Sequence, residues 1–128
     1  MSQEDLAIVR RWYQELDNEA AFRDLTHPEI EWAPWEENHT VHRGLDAARR
    51  VVARWSESWS EYSGEIEEVI DAGEEGIILV FHTQARGAAS GVDVDIHLYP
   101  HIKTREGKLV YLYEYADRTE ALKAVGLE

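Results

Sequence analysis

Residues 92–117 constrain the fold more than any other stretch. They read VDVDIHLYPHIKT, then REG, then KLVYLYEYAD: two strands joined by a tight turn. In the first strand Val92, Val94, Ile96, Leu98, Pro100 and Ile102 share one parity, while Asp93, Asp95, His97, Tyr99, His101 and Lys103 hold the other. Such alternation marks a half-buried strand with its even positions on a core. The second strand is ambiguous by pattern. Its even face carries Val110, Leu112, Glu114 and Ala116; its odd face carries Leu109, Tyr111, Tyr113 and Tyr115.

The turn discriminates between the two faces. A two-residue hairpin loop needs positive φ at both positions and favours Asn-Gly or Asp-Gly. Glu106 suits that poorly, because a long side chain gains nothing in the left-handed region. A three-residue loop, Arg105-Glu106-Gly107, asks positive φ of Gly107 alone. It pairs Thr104 with Lys108, Ile102 with Val110 and Leu98 with Glu114, so the even positions of both strands share the core face. A two-residue loop would turn the second strand over and bury the tyrosines instead. The expectation is therefore the three-residue loop, with Glu114 facing apolar groups. A carboxylate so placed loses hydration, which raises its pKa and makes it a candidate general base or acid. The plainer reading is a glutamate at a sheet rim, solvated or paired with an arginine.

A chain of 128 residues is expected to form one domain, 1–128, with room for a core and a modest cavity. It has no cysteine, which excludes disulfides and thiolate metal sites. No stretch reaches the length of a membrane span, and no apolar signal segment follows Met1, so the expectation is a soluble cytoplasmic protein away from membranes. A net charge of −13 argues against a nucleic-acid partner. Five Trp and six Tyr are many for this length, and large aromatics build cores, pockets or interfaces.

In chain order, Ser2 and Asp5 open a helix like a capping box. Leu6, Val9, Tyr13 and Leu16 keep its spacing to about residue 18. Residues 19–25 form a second short helix before Pro28. Residues 29–35 alternate as a strand ended by Pro34, and residues 35–44 are an irregular loop with His39, His42 and Arg43, the expected lid or rim. A third helix spans 45 to about 60, with Val52, Trp55 and Trp59 on one side and Tyr62 and Gly64 ending it. Strands follow at 65–72 and 77–86, then the hairpin, then a helix capped by Asp117 with Gly126 past its end. Helices first and antiparallel strands after mean α+β: a curved sheet wrapped around the N-terminal helices. Its apolar cone would hold Trp55, Trp59, Trp32 and Tyr13, with Glu114 inside.

The chain resembles the SnoaL-like branch of the nuclear transport factor 2-like superfamily. The matching pieces are IVRRWYQEL near the start, IEW ending at Trp32, RG at Arg43 and Gly44, IDAG ending at Gly73, and REGKLV with EYAD at the end. The resemblance implies a cone-shaped α+β barrel of the cystatin-like roll type, usually dimeric, with a hydrophobic pocket. Relatives include polyketide cyclases, ketosteroid isomerases and epoxide hydrolases. In the cyclases an acid on the last strand is the general base, and Glu114 falls at that position. Where they carry His-Trp-Asp, this chain has Leu112-Tyr113-Glu114. The Asp–Arg–Asp set of the epoxide hydrolases has no clear counterpart, and Trp12 falls near the isomerases' tyrosine.

The catalytic candidates are thus Glu114 as base, with Tyr13 or His39 as donor to an oxyanion. The candidate pocket wall is Trp12, Trp32, Trp35, Val52, Trp55, Trp59, Phe81, Leu98, Ile102 and Leu112. The expected ligand is a small apolar, carbonyl-bearing molecule. Two other readings stay open: a binding pocket without chemistry, and a structural dimer whose cone its own tryptophans fill. No cofactor is expected. Nor is a metal: His97 and His101 share a face but stand roughly 13 Å apart along a strand, and His39 and His42 lack a third ligand. The outer sheet face, with His82, Gln84, Arg86, His97, Tyr99, His101, Tyr111, Tyr113 and Tyr115, is the expected homodimer contact.

Overall fold

The computed structural model describes residues 1–127; Glu128, the end of the expected 1–128 domain, lies outside the described residues. Helix α1 (Gln3–Gln14) starts where the Ser2 side chain accepts the Asp5 N–H. It stops four residues short of the expected end because Asn18 is needed elsewhere. The Asn18 side chain accepts the Ala21 N–H at 3.1 Å and caps α2 (Glu19–Leu25). Helix α3 (Leu45–Ser58) buries Ala48, Val51 and Val52. The last helix, α4 (Arg118–Ala124), is capped by Asp117 as expected.

Among the described residues six strands form one sheet: β1 (Thr26–Ala33), β2 (His42–Arg43), β3 (Trp59–Asp71), β4 (Ile77–Gly87), β5 (Asp93–Arg105) and β6 (Lys108–Tyr115). Their order is β2-β1-β6-β5-β4-β3. Among the described residues only β1 with β6 is parallel. The fold is α+β, as expected, with the sheet curved around the N-terminal helices. Register shifts in β1, β3 and along the β5–β6 pair mark where bulges bend it. Pro28 is tolerated inside β1 because the register shift between Thr26 and Glu31 leaves its missing N–H without a ladder partner. The expectation that Tyr62 and Gly64 end α3 is corrected: both lie within β3. The helix gives way to strand without a loop, since the Ser58 carbonyl already accepts the Ala88 N–H and Trp59 pairs with Gly87.

Helices α1 to α3 cover the inner face, with Val9, Trp12, Phe22, Ile30, Leu79, Ile102 and Leu112 at the centre of the core. Helix α4 packs on the other face, where Ala121 and Val125 meet Ile78, flanked by Tyr99 and Tyr115. Those two tyrosines of the expected dimer face are therefore partly covered by the chain itself. Among the described residues no helix is long and apolar enough to cross a membrane.

The hairpin corrects the expected turn. Arg105 pairs with Lys108, so the loop has two residues, with Glu106 at φ 55 and Gly107 at φ 73. This double positive φ matches the twist of the flanking strands, and that gain outweighs the poor fit of glutamate. By itself it would have put the tyrosines inside. A bulge reverses the parity: Thr104 pairs with Leu109 but Lys103 pairs with Tyr111, leaving Val110 extra. Consequently Ile102 stands opposite Leu112 and Pro100 opposite Glu114. Near the turn Leu109, not Val110, enters the core.

Candidate active site

A cavity of about 600 Å³ lies between α1, α3 and the inner sheet face. Trp12 and Tyr13 come from α1, Val52 and Trp55 from α3, and Trp32 from β1. The sheet adds Trp59, Tyr62, Phe81, Thr83, Leu98, Pro100 and Glu114. The aromatics brace one another. Trp55 contacts Trp59 at 5.3 Å and Tyr62 edge-on at 5.0 Å. Tyr13 lies 4.7 Å from Phe81, and Trp12 meets Trp32 at 5.2 Å. Such contacts hold a wall rigid around an open space.

Nine of the anticipated residues meet here: Glu114, Tyr13, Trp12, Trp32, Val52, Trp55, Trp59, Phe81 and Leu98. Four do not. Ile102 and Leu112 pair with each other and are sealed in the core with Val9, Trp12 and Leu109. Trp35 is 40% exposed and offers only its main-chain N–H. His39 lies behind the strand: its Nε2 is 2.7 Å from the Glu114 main-chain oxygen and its ring stacks on Tyr113 at 4.4 Å. Its role as an oxyanion donor inside the cone is corrected. Asn38 and His39 both have positive φ, which carries the chain around the end of β6 to its outer side.

The Glu114 side chain accepts the Trp35 N–H through Oε1 at 3.1 Å. The residue is half-buried, and the cavity reaches it. Burial and then the nearby Glu36 charge push its pKa up to about 8, against the Trp35 N–H. The Trp32 indole N–H also favours the charged form but stops short of hydrogen-bond geometry. Glu114 is thus mostly protonated at neutral pH. Burial raises the Tyr13 phenol well above its ordinary range, with the Glu114 charge second. The same causes raise Tyr62 to about 12. Glu36, also on the cavity wall, is raised by burial.

Tyr13 Oη, Trp32 Nε1 and Trp59 Nε1 are buried without a hydrogen-bond partner among the described residues, and all three side chains belong to the cavity wall. Leaving such groups unpaired costs about 1–3 kcal/mol each. A ligand carrying acceptor oxygens would relieve that cost.

The sequence reading missed Tyr62, Glu36 and Thr83. Thr83 shares the parity of Phe81 and could have been found from it. Tyr62 was hidden by the early start of β3. Glu36 follows Pro34 in the single turn Trp35–Glu37, for which no periodicity exists.

The SnoaL-like domain model matches residues 9–112. No curated protein sequence matches the chain. Among solved structures, an NTF2-like protein from Burkholderia xenovorans is 18% identical over 98% of both chains, with a TM-score of 0.75. A putative SnoaL-like polyketide cyclase from a Jannaschia species is 15% identical, covering 100% of this chain and 97% of the other, at 0.74. A protein of ketosteroid isomerase-like fold from Catenulispora acidiphila, in complex with trimethylamine, is 13% identical over 94% of this chain and 93% of that one, at 0.74. At these identities the structures speak for the fold alone. With the domain model spanning most of its length, the chain belongs to the SnoaL-like domain family.

Proposed function

We propose that the protein binds a small, largely apolar, carbonyl-bearing molecule in the cavity and moves a proton on it through Glu114, in the manner of a cyclase or isomerase. One observation carries this reading: a carboxyl on an aromatic-walled cavity whose burial, with the Glu36 charge beside it, lifts its pKa to about 8. In its ionised form Glu114 takes an acidic proton from carbon, and the C–H electron pair moves onto the carbonyl oxygen. Tyr13, whose hydroxyl has no partner among the described residues, donates a hydrogen bond to that oxyanion. The proton then returns to carbon from Glu114. The unpaired indole N–H groups favour a ligand with further acceptor oxygens.

A second reading is binding without chemistry. It draws on the Trp35 N–H bond, which gives Glu114 a structural task of its own.

Tryptophan fluorescence against a panel of hydroxylated aromatic ketones, quinones and steroids tests the pocket; quenching is expected, and silence across the panel rejects it. For any binder, NMR-detected exchange of the acidic C–H in D₂O tests the chemistry. Wild type should exceed Glu114→Gln by about 10²–10⁴-fold. Equal exchange with retained binding leaves the second reading.

We also infer that two copies pair through the part of the outer sheet face that α4 leaves open. Half-buried Tyr111 and Tyr113 support this. Light-scattering mass in solution checks it, and a monomer rejects it.

A further inference from the structure

A second group of side chains lies on the outer face of β3, β4 and β5, away from the cavity. His82 and His97 are directly opposed across β4 and β5. Their rings stack at 4.6 Å, tilted by 11°. Glu67 reaches both: Oε1 is 2.7 Å from His97 Nε2, and Oε2 is 3.7 Å from His82 Nδ1. One ligand atom from each residue falls within 4.8 Å of the others.

The backbone builds this cluster. Ile66 pairs with Phe81 and Glu68 with Val80, so Glu67 is the extra residue of a bulge. The bulge lets two successive carboxylates work on the outer side: Glu68 takes Arg118 of α4, while Glu67 is left for the histidines.

The other nitrogen of His82 is held as well. Nε2 is 2.5 Å from Asp95 Oδ1, and Asp95 Oδ2 accepts Gln84 Nε2 at 3.1 Å. A carboxylate on one imidazole nitrogen fixes the proton there and turns the lone pair of the other outward. With the proton on Nε2, the lone pair falls on Nδ1, which faces Glu67. This is the arrangement by which proteins orient a metal-binding histidine.

We propose that Glu67, His82 and His97 bind one divalent transition metal ion of the zinc class, with Asp95 orienting His82. Two imidazoles and a carboxylate suit such an ion, and three protein ligands leave a fourth position to water. Side-chain exposures of 23% for His82, 43% for His97 and 38% for Glu67 let an ion enter. Glu65 and Asp95 add negative charge around His82. Stacked rings present their nitrogens side by side, so capture tilts one ring to bring both to about 2.0–2.1 Å from the ion. The histidine that meets His97 is therefore His82 across the sheet, not His101 along its own strand.

Calorimetric titration of the metal-stripped full chain with Zn²⁺ tests the site, together with Co²⁺ absorption for coordination number. One ion per chain is expected, with the visible bands of a four-coordinate Co²⁺ site. Affinity should fall at least tenfold in His97→Ala and Glu67→Gln, and about 10–100-fold in Asp95→Asn; His42→Ala should keep it. In unmutated protein, Zn²⁺ should shift the ring protons of His82 and His97, a readout independent of variant folding. Absence of stoichiometric binding, shifts confined to other histidines, or affinity that survives loss of both His82 and His97 overturns the proposal.

Discussion

The main-chain N–H of Trp35 donates to Oε1 of Glu114 at 3.1 Å across 79 positions of sequence. The turn after β1 is thereby tied to the one acid of β6 that faces the cavity.

Glu114→Gln keeps an acceptor for that N–H and removes the ionisation. The folded pKa of about 8 lies above the ordinary 4.5, so between those values the folded protein holds a proton that the unfolded chain has released. The resulting stability is complete below about pH 4.5 and is lost as pH rises through about 8. Urea midpoints across this range should fall in wild type relative to Glu114→Gln. Any activity that uses Glu114 as base should rise with pH and level off above about 8.

Trp12 Nε1 donates to Thr26 Oγ1 at 2.9 Å, with both residues buried. Thr26→Val keeps the shape but strands the indole N–H. Stability should drop by about 1–3 kcal/mol, measured by urea denaturation. The cavity should survive, with ligand quenching unchanged.

Gly64 lies under the Phe81 ring, where a methyl group would collide with Cζ and Cε1. Gly64→Ala should force that ring aside, costing about 1–3 kcal/mol through overpacking. Phe81 is also cavity wall, so ligand affinity should fall with stability. Thermal melts alongside fluorescence titration check both.

Glu106 sits at φ 55 in the two-residue turn. Asparagine accepts the left-handed region at lower cost, so Glu106→Asn should stabilise by on the order of 0.5–1 kcal/mol. The exposed Glu106 contacts with His27 and Arg105 offset little of this. The midpoint of denaturation checks it, and the cavity should be unaffected.

The α+β order, the Ser2 and Asp117 caps and the alternation of β5 were legible because each depends on neighbours within a few residues. The parity of β6 was reached through a wrong turn: the chain makes a two-residue loop, and the extra Val110 restores the face that a three-residue loop would have presented. A bulge leaves no local mark, since it is set by which strand-to-strand packing buries more.

The sequence by itself determined the element types, the aromatic character of the inner face and the inward parity of β5, all consequences of short-range periodicity. Only the tertiary structure decided that His39 lies behind β6, that Ile102 and Leu112 are core rather than wall, that Tyr62 and Glu36 reach the cavity, and that His82 meets His97 and Glu67. Those contacts join residues far apart in the chain, and their geometry follows from sheet curvature and bulges rather than from residue spacing.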